Sequence, residues 1–568
     1  MQRTLQTTRA FDDAKDMGND RFLFLVSTSP GLGGKEQDEK DMRARAHAAR
    51  RSHATRRAEP LTPTGAVDLK GDIPNPHSVS AFASANSHQS SIAKQQRQFR
   101  VSAAPRRSPW QANRPVRLWT RTAVDNGNDE PFNQMSVPDV PRYVISVLHE
   151  ASRLKWTRIR PGALVTAVNP VARAWMEAAL ESPIALHGLV YAMLRTMLIT
   201  RHNSGPETIL ALEHYAQCLA QLKDEMKRIQ EGVTEASDNV IIAIAALAAH
   251  GESHMGMEKS SLETMPLVPL SPLSESQNLH VYGTGALQPA HVHAVYSLVS
   301  RKGGLQNISL EGLPDVLEVV DLCFATREGT RPQFGWRHST SRSDLALDLK
   351  IDNTAEALFQ KLGTGFPRID ALKPIHQLVW CTRVAIVMLD QHFRNGDPPG
   401  SKPELLNARN TVQYHLLCLP VANLTVSAGY ETLLYEVCRL GLLIISNMIL
   451  FPLPPESGVA HRLAKQLRNC LIVADHASDG NIIFSKYHDL LVWAVVLGAM
   501  SSTSLSDRTW FVNRLTVMLV PLVDHHWEEI EEKILYKYLW WQYVCSQPGQ
   551  RIWEESLLIH CDEISDVV

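Results

Sequence analysis

No cysteine precedes Cys218, and the chain's eight cysteines, scattered from there to Cys561, contain no C-x-x-C pair. Neither a disulfide framework nor a cysteine-built zinc site is indicated, and this usage suits a reducing, intracellular compartment. The longest apolar run, LGLLIISNMILFPL from Leu440, is too short for a bilayer span and ends in prolines. The opening MQRTLQTTRAFDDAKDMGND has no apolar h-region, so neither secretion nor membrane attachment is expected. Also missing are H-E-x-x-H, G-x-S-x-G and any cysteine with a local catalytic signature. No catalytic residue is assigned on these grounds, and no enzyme, cofactor or bound metal is expected.

A phosphate-gripping loop is absent too, although RFLFLVSTSPGLGGKEQ from Arg21 first suggests one: an apolar strand, a glycine turn, then the start of a helix. A P-loop needs glycine five places before its Gly-Lys pair and Ser or Thr after it. Here Ser29 holds the first position and Glu36 the last, where a carboxylate would repel phosphate. The dinucleotide pattern G-x-G-x-x-G fails at the same residue, because Gly31 and Gly33 are followed by Glu36 where glycine is required. The segment reads as a turn.

What is present is arginine. Arg43, Arg45, Arg50, Arg51, Arg56 and Arg57 lie among alanines and two histidines, and both alanine and arginine favour helix. Arg43, Arg50 and Arg57 repeat every seven residues and share a face, while Glu36, Asp38, Glu39 and Asp41 stand where a helix dipole favours acids. The result is a basic helix with almost no apolar face, either a solvated surface or a nuclear-import or nucleic-acid patch. Charge along the chain is unevenly divided. Residues 1–121 hold 21 Lys and Arg against 11 Asp and Glu, a balance of +10, whereas the remainder carries −12, which the net −2 conceals. A basic arm ahead of a mildly acidic body suits an arm that meets phosphate and a body that meets protein.

Residues 1–20 are expected to be disordered, 21–58 to form a short strand plus the arginine-rich helix, and 59–130 to be a disordered basic linker rich in Pro, Ser, Ala, Asn and Gln. Within that linker Phe99, Trp110 and Trp119 are interleaved with arginines, which lets them stack on bases or dock the tail onto the body. From residue 131 to 568 the pattern becomes helical. Ile209, Leu212, Ala216, Leu219, Leu222, Met226 and Ile229 step by three or four along one face of a long helix with Pro206 in its first turn. NVIIAIAALAAH from Asn239 and DLLVWAVVLGAM from Asp489 are apolar all round, which implies several layers of helices. Asn169-Pro170, Ser182-Pro183 and Ser506-Asp507 are helix starts, and residues 256–285 break the pattern as a flexible insertion. The expected fold class is all-α: a large multi-helix domain behind a mostly disordered basic tail.

Three smaller features have ordinary explanations. His525 and Glu529 lie one turn apart as a possible metal pair, yet no third ligand is near, and His525-His526 with Glu528 and Glu529 reads better as an acidic helix start. His291 and His293 diverge on a helix. Gly303-Gly304 after Arg301 and Lys302 reads as a helix C-cap rather than an anion nest.

NPVARAWMEAALESPIALHGLVYA from Asn169, HAVYSLVSRKGGLQNISLEGLPDVLEVVDLCFA from His293, YEVCRLGLLIISNMILFPLPPESGVAHRLAKQLRNCL from Tyr435, LLVWAVVLGAMSSTSLSDRTWFV from Leu490 and YLWWQYVCSQPGQRIWEE from Tyr538 stand in this order. Together they resemble the C-terminal regulatory domain of fungal-specific transcription factors. FLFLVST followed by RARAHAARRSHATRR resembles the segment that opens many of those proteins. The resemblance implies a nuclear transcriptional regulator acting on a metabolic or biosynthetic gene set, with the transcription machinery or other regulators as partners. Relatives with a DNA-binding module carry six N-terminal cysteines around two zinc ions, and that module is absent here. Two other readings stand beside it: a small-molecule-sensing or protein-interaction domain without DNA contact, and an uncharacterised enzyme.

If the basic arm meets DNA by charge alone, six phosphate contacts give a log-log salt slope of roughly −5 with little preference between sequences. Titrating residues 36–121 and 131–568 separately against a set of unrelated duplexes at two salt concentrations checks this. Weak, salt-sensitive binding is expected from the first fragment and none from the second; salt-resistant discrimination by either would contradict it.

Overall fold

In this computed structural model, residues 140–156, 159, 169–201, 206–251, 270–285, 288–337, 351–396, 403–424, 429–476, 485–518 and 525–565 are described. They fall in the second of two compact units, Arg114–Val568. The expectations for residues 1–130, including the arginines at 43, 45, 50, 51, 56 and 57, lie outside the described residues.

The described chain is all-α, as expected, with seventeen α-helices and no strand among the described residues. The first group is α1 (Arg142–Glu150), α2 (Pro170–Glu181), α3 (Pro183–Arg201), α4 (Pro206–Gln230) and α5 (Asp238–Ala249), followed by α6 (Leu279–Thr284), α7 (Pro289–Arg301) and α8 (Leu313–Glu328). Next come α9 (Asn353–Lys361), α10 (His376–Arg394), α11 (Pro403–Cys418), α12 (Tyr430–Ile445) and α13 (Val459–His476). The last are α14 (His488–Ser501), α15 (Leu505–Met518), α16 (Trp527–Lys533) and α17 (Gln542–Ser565). Helix α3 packs on α1, α2, α4 and α5, while α12, α13, α15 and α17 surround α14.

The two all-apolar segments became the centres of these layers. Every residue of α5 from Val240 to Ala249 is buried, and Ser237 caps its start by accepting from the Val240 amide at 3.3 Å. Every residue of α14 from Leu490 to Ser501 is buried as well. Two glycines let neighbours close on it: a Cβ on Gly441 of α12 would lie 2.5 Å from the Trp493 ring, and one on Gly498 would lie 2.3 Å from Phe511 of α15. Trp493 Nε1 also donates to Leu539 O at 2.8 Å, which satisfies the one polar atom of that buried indole.

Other starts and stops follow the sequence signals with small shifts. Asn169 Oδ1 accepts from the Ala172 amide at 3.1 Å and Ser182 Oγ from the Ala185 amide at 3.4 Å. Helix α15 begins before the expected Ser506-Asp507, because Ser504 Oγ accepts the Asp507 amide at 3.2 Å and donates to its carboxylate at 2.8 Å. Gly303 and Gly304 adopt φ of 85° and 105° and return their amides to Ser300 O and Val299 O, the C-cap expected for α7.

Two expectations need correction. On α4, Leu222, Met226 and Ile229 are buried, but Ile209 and Leu212 are 62% and 44% exposed, and Glu207, Ala211, His214 and Cys218 turn inward instead. The first half of the helix is rotated because His214 has polar partners inside: His187 Nδ1 on α3 at 2.9 Å and Tyr143 Oη on α1 at 2.9 Å. The insertion expected at 256–285 is a packed element over residues 270–285. There Leu273, Leu279 and Val281 are buried and Ser271 Oγ donates to Ile449 O at 2.6 Å. Buried Arg409 grips this stretch, donating to Gln277 Oε1 at 2.6 Å and Leu273 O at 3.5 Å, and Gln277 and the following Asn278 adopt φ of 52° and 60°.

Among the described residues two helices, Pro183–Thr200 and the helical run Tyr430–Leu450, are long and apolar enough to cross a membrane, and they are 67% and 83% buried inside the protein. The second is longer than the run visible from Leu440 because the helix continues N-terminally through the charged residues Glu436 and Arg439.

The His187–His214 pair generates a pH prediction. Burial pushes His187 down to about 4 and His214 to about 3, His187 also acting on His214. Both stay neutral when folded, whereas in the unfolded chain they protonate near 6.5. Stability from this site is complete above about pH 6.5 and lost as pH falls from there through about 4. Urea unfolding at about pH 7 and pH 5 checks it: the midpoint should fall, and fall less in a His187→Gln, His214→Gln double variant. Equal falls would contradict the assignment.

Candidate functional site

Where α8, α11, α12 and α13 meet, a cavity of about 360 Å³ opens to solvent. Such a volume suits a small organic ligand. Helix α12 forms its charged wall. Its sequence YETLLYEVCRLGLLII is apolar except for a few residues, and Glu436 and Arg439 fall at i and i+3 on one face. Arg439 Nη2 donates to Glu436 Oε1 at 2.6 Å and Nε donates to Oε2 at 2.8 Å, with side chains only 7% and 4% exposed. Glu436 Oε2 also accepts the Ala422 amide at 3.2 Å, so the carboxylate ties down the connection between α11 and α12 while neutralising Arg439.

Helix α13 supplies the second guanidinium. Arg462 Nη2 donates to Thr326 O in the last turn of α8, where unpaired carbonyls and the helix dipole favour a cation. Gly329 ends that helix with φ of 70°, and a Cβ there would lie 2.7 Å from Arg462 Nη1. Glycine gives both the left-handed cap and room for the arginine. Arg462 Nε is buried without a hydrogen-bond partner. Burial pushes the guanidinium below its ordinary value; Glu328, exposed nearby, opposes that, and Arg439 adds to it by like-charge repulsion. Arg331 stands exposed at the mouth.

Beneath these charges lies a chain of neutral hydrogen bonds. Ser446 Oγ donates to Gln413 Oε1 at 2.7 Å, Gln413 Nε2 to Thr326 Oγ1 at 2.8 Å, and Thr326 Oγ1 to Leu322 O at 2.6 Å. It links the turn that follows α12 to α11 and α8. Leu417, Leu440, Leu443, Val459 and Leu463 complete an apolar lining. The arrangement offers three arginines against one glutamate, and that glutamate is spent on Arg439. It can hold a negative group beside an aliphatic body.

The minor candidates resolve as follows. Glu528 and Glu529 sit in the first turn of α16 after the extended residue His526, and Glu529 pairs with Lys533 at 3.0 Å. Among the described residues no group of three or more His, Cys, Asp or Glu is arranged to hold a metal. His291 is buried on α7, and His293 is exposed with its ring edge-on to Tyr296. Lys302 is engaged with Asp238, which also accepts from Ser309 and Leu310. None of the cavity's charged residues was marked by motif spacing. The one signal for them is the Glu436, Arg439 pair inside an otherwise apolar helix.

No family model, no curated protein and no solved structure matches this chain.

Gly329→Ala should cost more than Gly458→Ala in denaturant unfolding. Both positions have φ near 70°, but open space surrounds Gly458 whereas Arg462 abuts Gly329. The left-handed backbone costs each about 1 kcal/mol, and displacing Arg462 from Thr326 O adds about 1 kcal/mol more at Gly329. Equal losses would show that Arg462 does not depend on that gap.

Proposed function

We propose that the chain is a transcriptional regulator whose helical body is a ligand-responsive control domain and whose basic N-terminal segment directs it to the nucleus. The observation that carries this reading is the solvent-open, arginine-lined cavity inside the helical body. The blocks from Asn169 to Glu555 that resemble fungal-specific transcription factor regulatory domains support it, as does the division of charge between a +10 arm and a −12 body. Contact with other regulators or the transcription machinery is assigned to the body, and weak phosphate contact to the arm. The second reading keeps the sensing body and drops DNA contact; it is favoured by residues 1–217, which hold no cysteine to build the zinc-bound reader of the family resembled.

Arg43, Arg45, Arg50, Arg51, Arg56 and Arg57 are the import residues in this proposal. Replacing all six with alanine should leave a fluorescent fusion in the cytoplasm. Unchanged nuclear accumulation would remove them from the account and turn attention to Arg106, Arg107, Arg114 and Arg117. Chromatin immunoprecipitation of the tagged full chain separates the two readings: enrichment at a defined gene set supports a regulator, and its absence with nuclear import intact supports sensing without DNA contact.

A further inference from the structure

The ligand-responsive reading leaves open what enters the cavity, and the lining answers more specifically than volume alone. A cation is disfavoured. The charged lining residues are Arg331, Arg439, Arg462 and Glu436, and both oxygens of Glu436 are already occupied by Arg439 and the Ala422 amide. A fully neutral ligand would leave the half-buried Arg462 guanidinium, whose hydrogen bond runs to the neutral Thr326 O, without a counter-ion in the cavity. An anion supplies that counter-ion through a charge-assisted hydrogen bond to the guanidinium. Arg462 is held from behind by its bond to Thr326 O, so its guanidinium is pre-positioned and little side-chain freedom remains to be lost on binding.

The rest of the lining fixes the other end of the ligand. Leu417, Leu440, Leu443, Val459 and Leu463 form an apolar wall, against which a polar or polyphosphate group would be desolvated, while Gln413, Gln466 and Asn469 line the rest. From this geometry, and resting on the sensing reading above, we propose that the cavity binds a small organic anion with a short aliphatic chain, a monocarboxylate paired with Arg462 and steered in by Arg331. Each methylene entering the apolar lining tightens binding about fourfold until the cavity is full. Arg462 couples the site to its surroundings: the same side chain that meets the carboxylate closes the C-terminus of α8, so occupancy stabilises the contact between α8 and α13.

The test uses the purified full chain with butyrate, hexanoate, octanoate, hexylammonium and hexanol, followed by calorimetry. Hexanoate should bind at least tenfold tighter than hexylammonium or hexanol, and about tenfold or more tighter than butyrate, two methylenes shorter. Arg462→Gln should weaken hexanoate at least tenfold while leaving hexanol unchanged. Arg331→Gln, at the exposed mouth, should weaken it several-fold with an unaltered unfolding midpoint, and it decides the matter if the Arg462 variant does not fold. Hexanol or hexylammonium binding as well as hexanoate would overturn the anion assignment and leave the sensing reading intact. Binding by none of the five would sink both. Hexanoate binding insensitive to both arginine variants would place the anion elsewhere and overturn the proposal.

Discussion

The buried ion pair between Glu436 and Arg439 is the constraint on which the arginine-lined cavity of the helical body depends. Two opposite charges on the inner face of an apolar helix are costly to desolvate, and the cost is met only when geometry is good and the remaining lone pairs are used. Here the guanidinium bonds both carboxylate oxygens and the Ala422 amide uses the lone pair left over. This ties the α11–α12 connection to α12 and leaves no free carboxylate in the cavity. It also sets the field felt by Arg462, which sits among apolar walls with a neutralised neighbour and one buried donor unspent.

Elsewhere apolar packing decides that helices form and buried polar contacts decide how they turn. Helix α14 needs no polar guidance, since every residue from Leu490 to Ser501 is inside, and Gly441 and Gly498 admit Trp493 and Phe511 at contact distance. Helix α4 is different: His187 and Tyr143 draw His214 inward, and Ile209 and Leu212 turn outward in consequence. Arg409 does similar work for residues 270–285. It is wholly buried, pushed down to about 9 by that burial and still a cation at neutral pH, with neutral oxygens of Gln277, Asn410 and Leu273 around it. Its bond to Gln277 falls on the first of two left-handed residues that no turn signal in the sequence announces.

These cases show what a sequence can reveal. The all-α class, the buried helices α5 and α14 and the caps at Asn169, Ser182 and Gly303-Gly304 depend on residues near each other in the chain, and pattern reading found them. The rotation of α4 depends on Tyr143 and His187, each well removed along the chain from His214, so an apolar stripe alone misassigned its first half. The packed stretch 270–285 looked like a loop because its anchors, Arg409 and Ile449, lie far downstream. The cavity is harder still, for it joins Thr326, Gln413, Glu436 and Arg462 from four helices, and no spacing rule links them. The one local sign, which the sequence reading passed over, is the Glu436, Arg439 pair, two charges in a stretch of the helix that is otherwise apolar.

A double-mutant cycle at positions 436 and 439, read by urea unfolding together with hexanoate binding, tests the account most directly. Glu436→Gln alone strands a buried guanidinium and should cost about 3–5 kcal/mol, as should Arg439→Met for the carboxylate. The double variant should recover most of that loss, giving a coupling of about 2 kcal/mol or more, while hexanoate still binds through Arg462. Additive losses with no coupling, or hexanoate binding abolished in the folded double variant, would show that the pair neither holds the cavity nor leaves Arg462 as its anion-binding group.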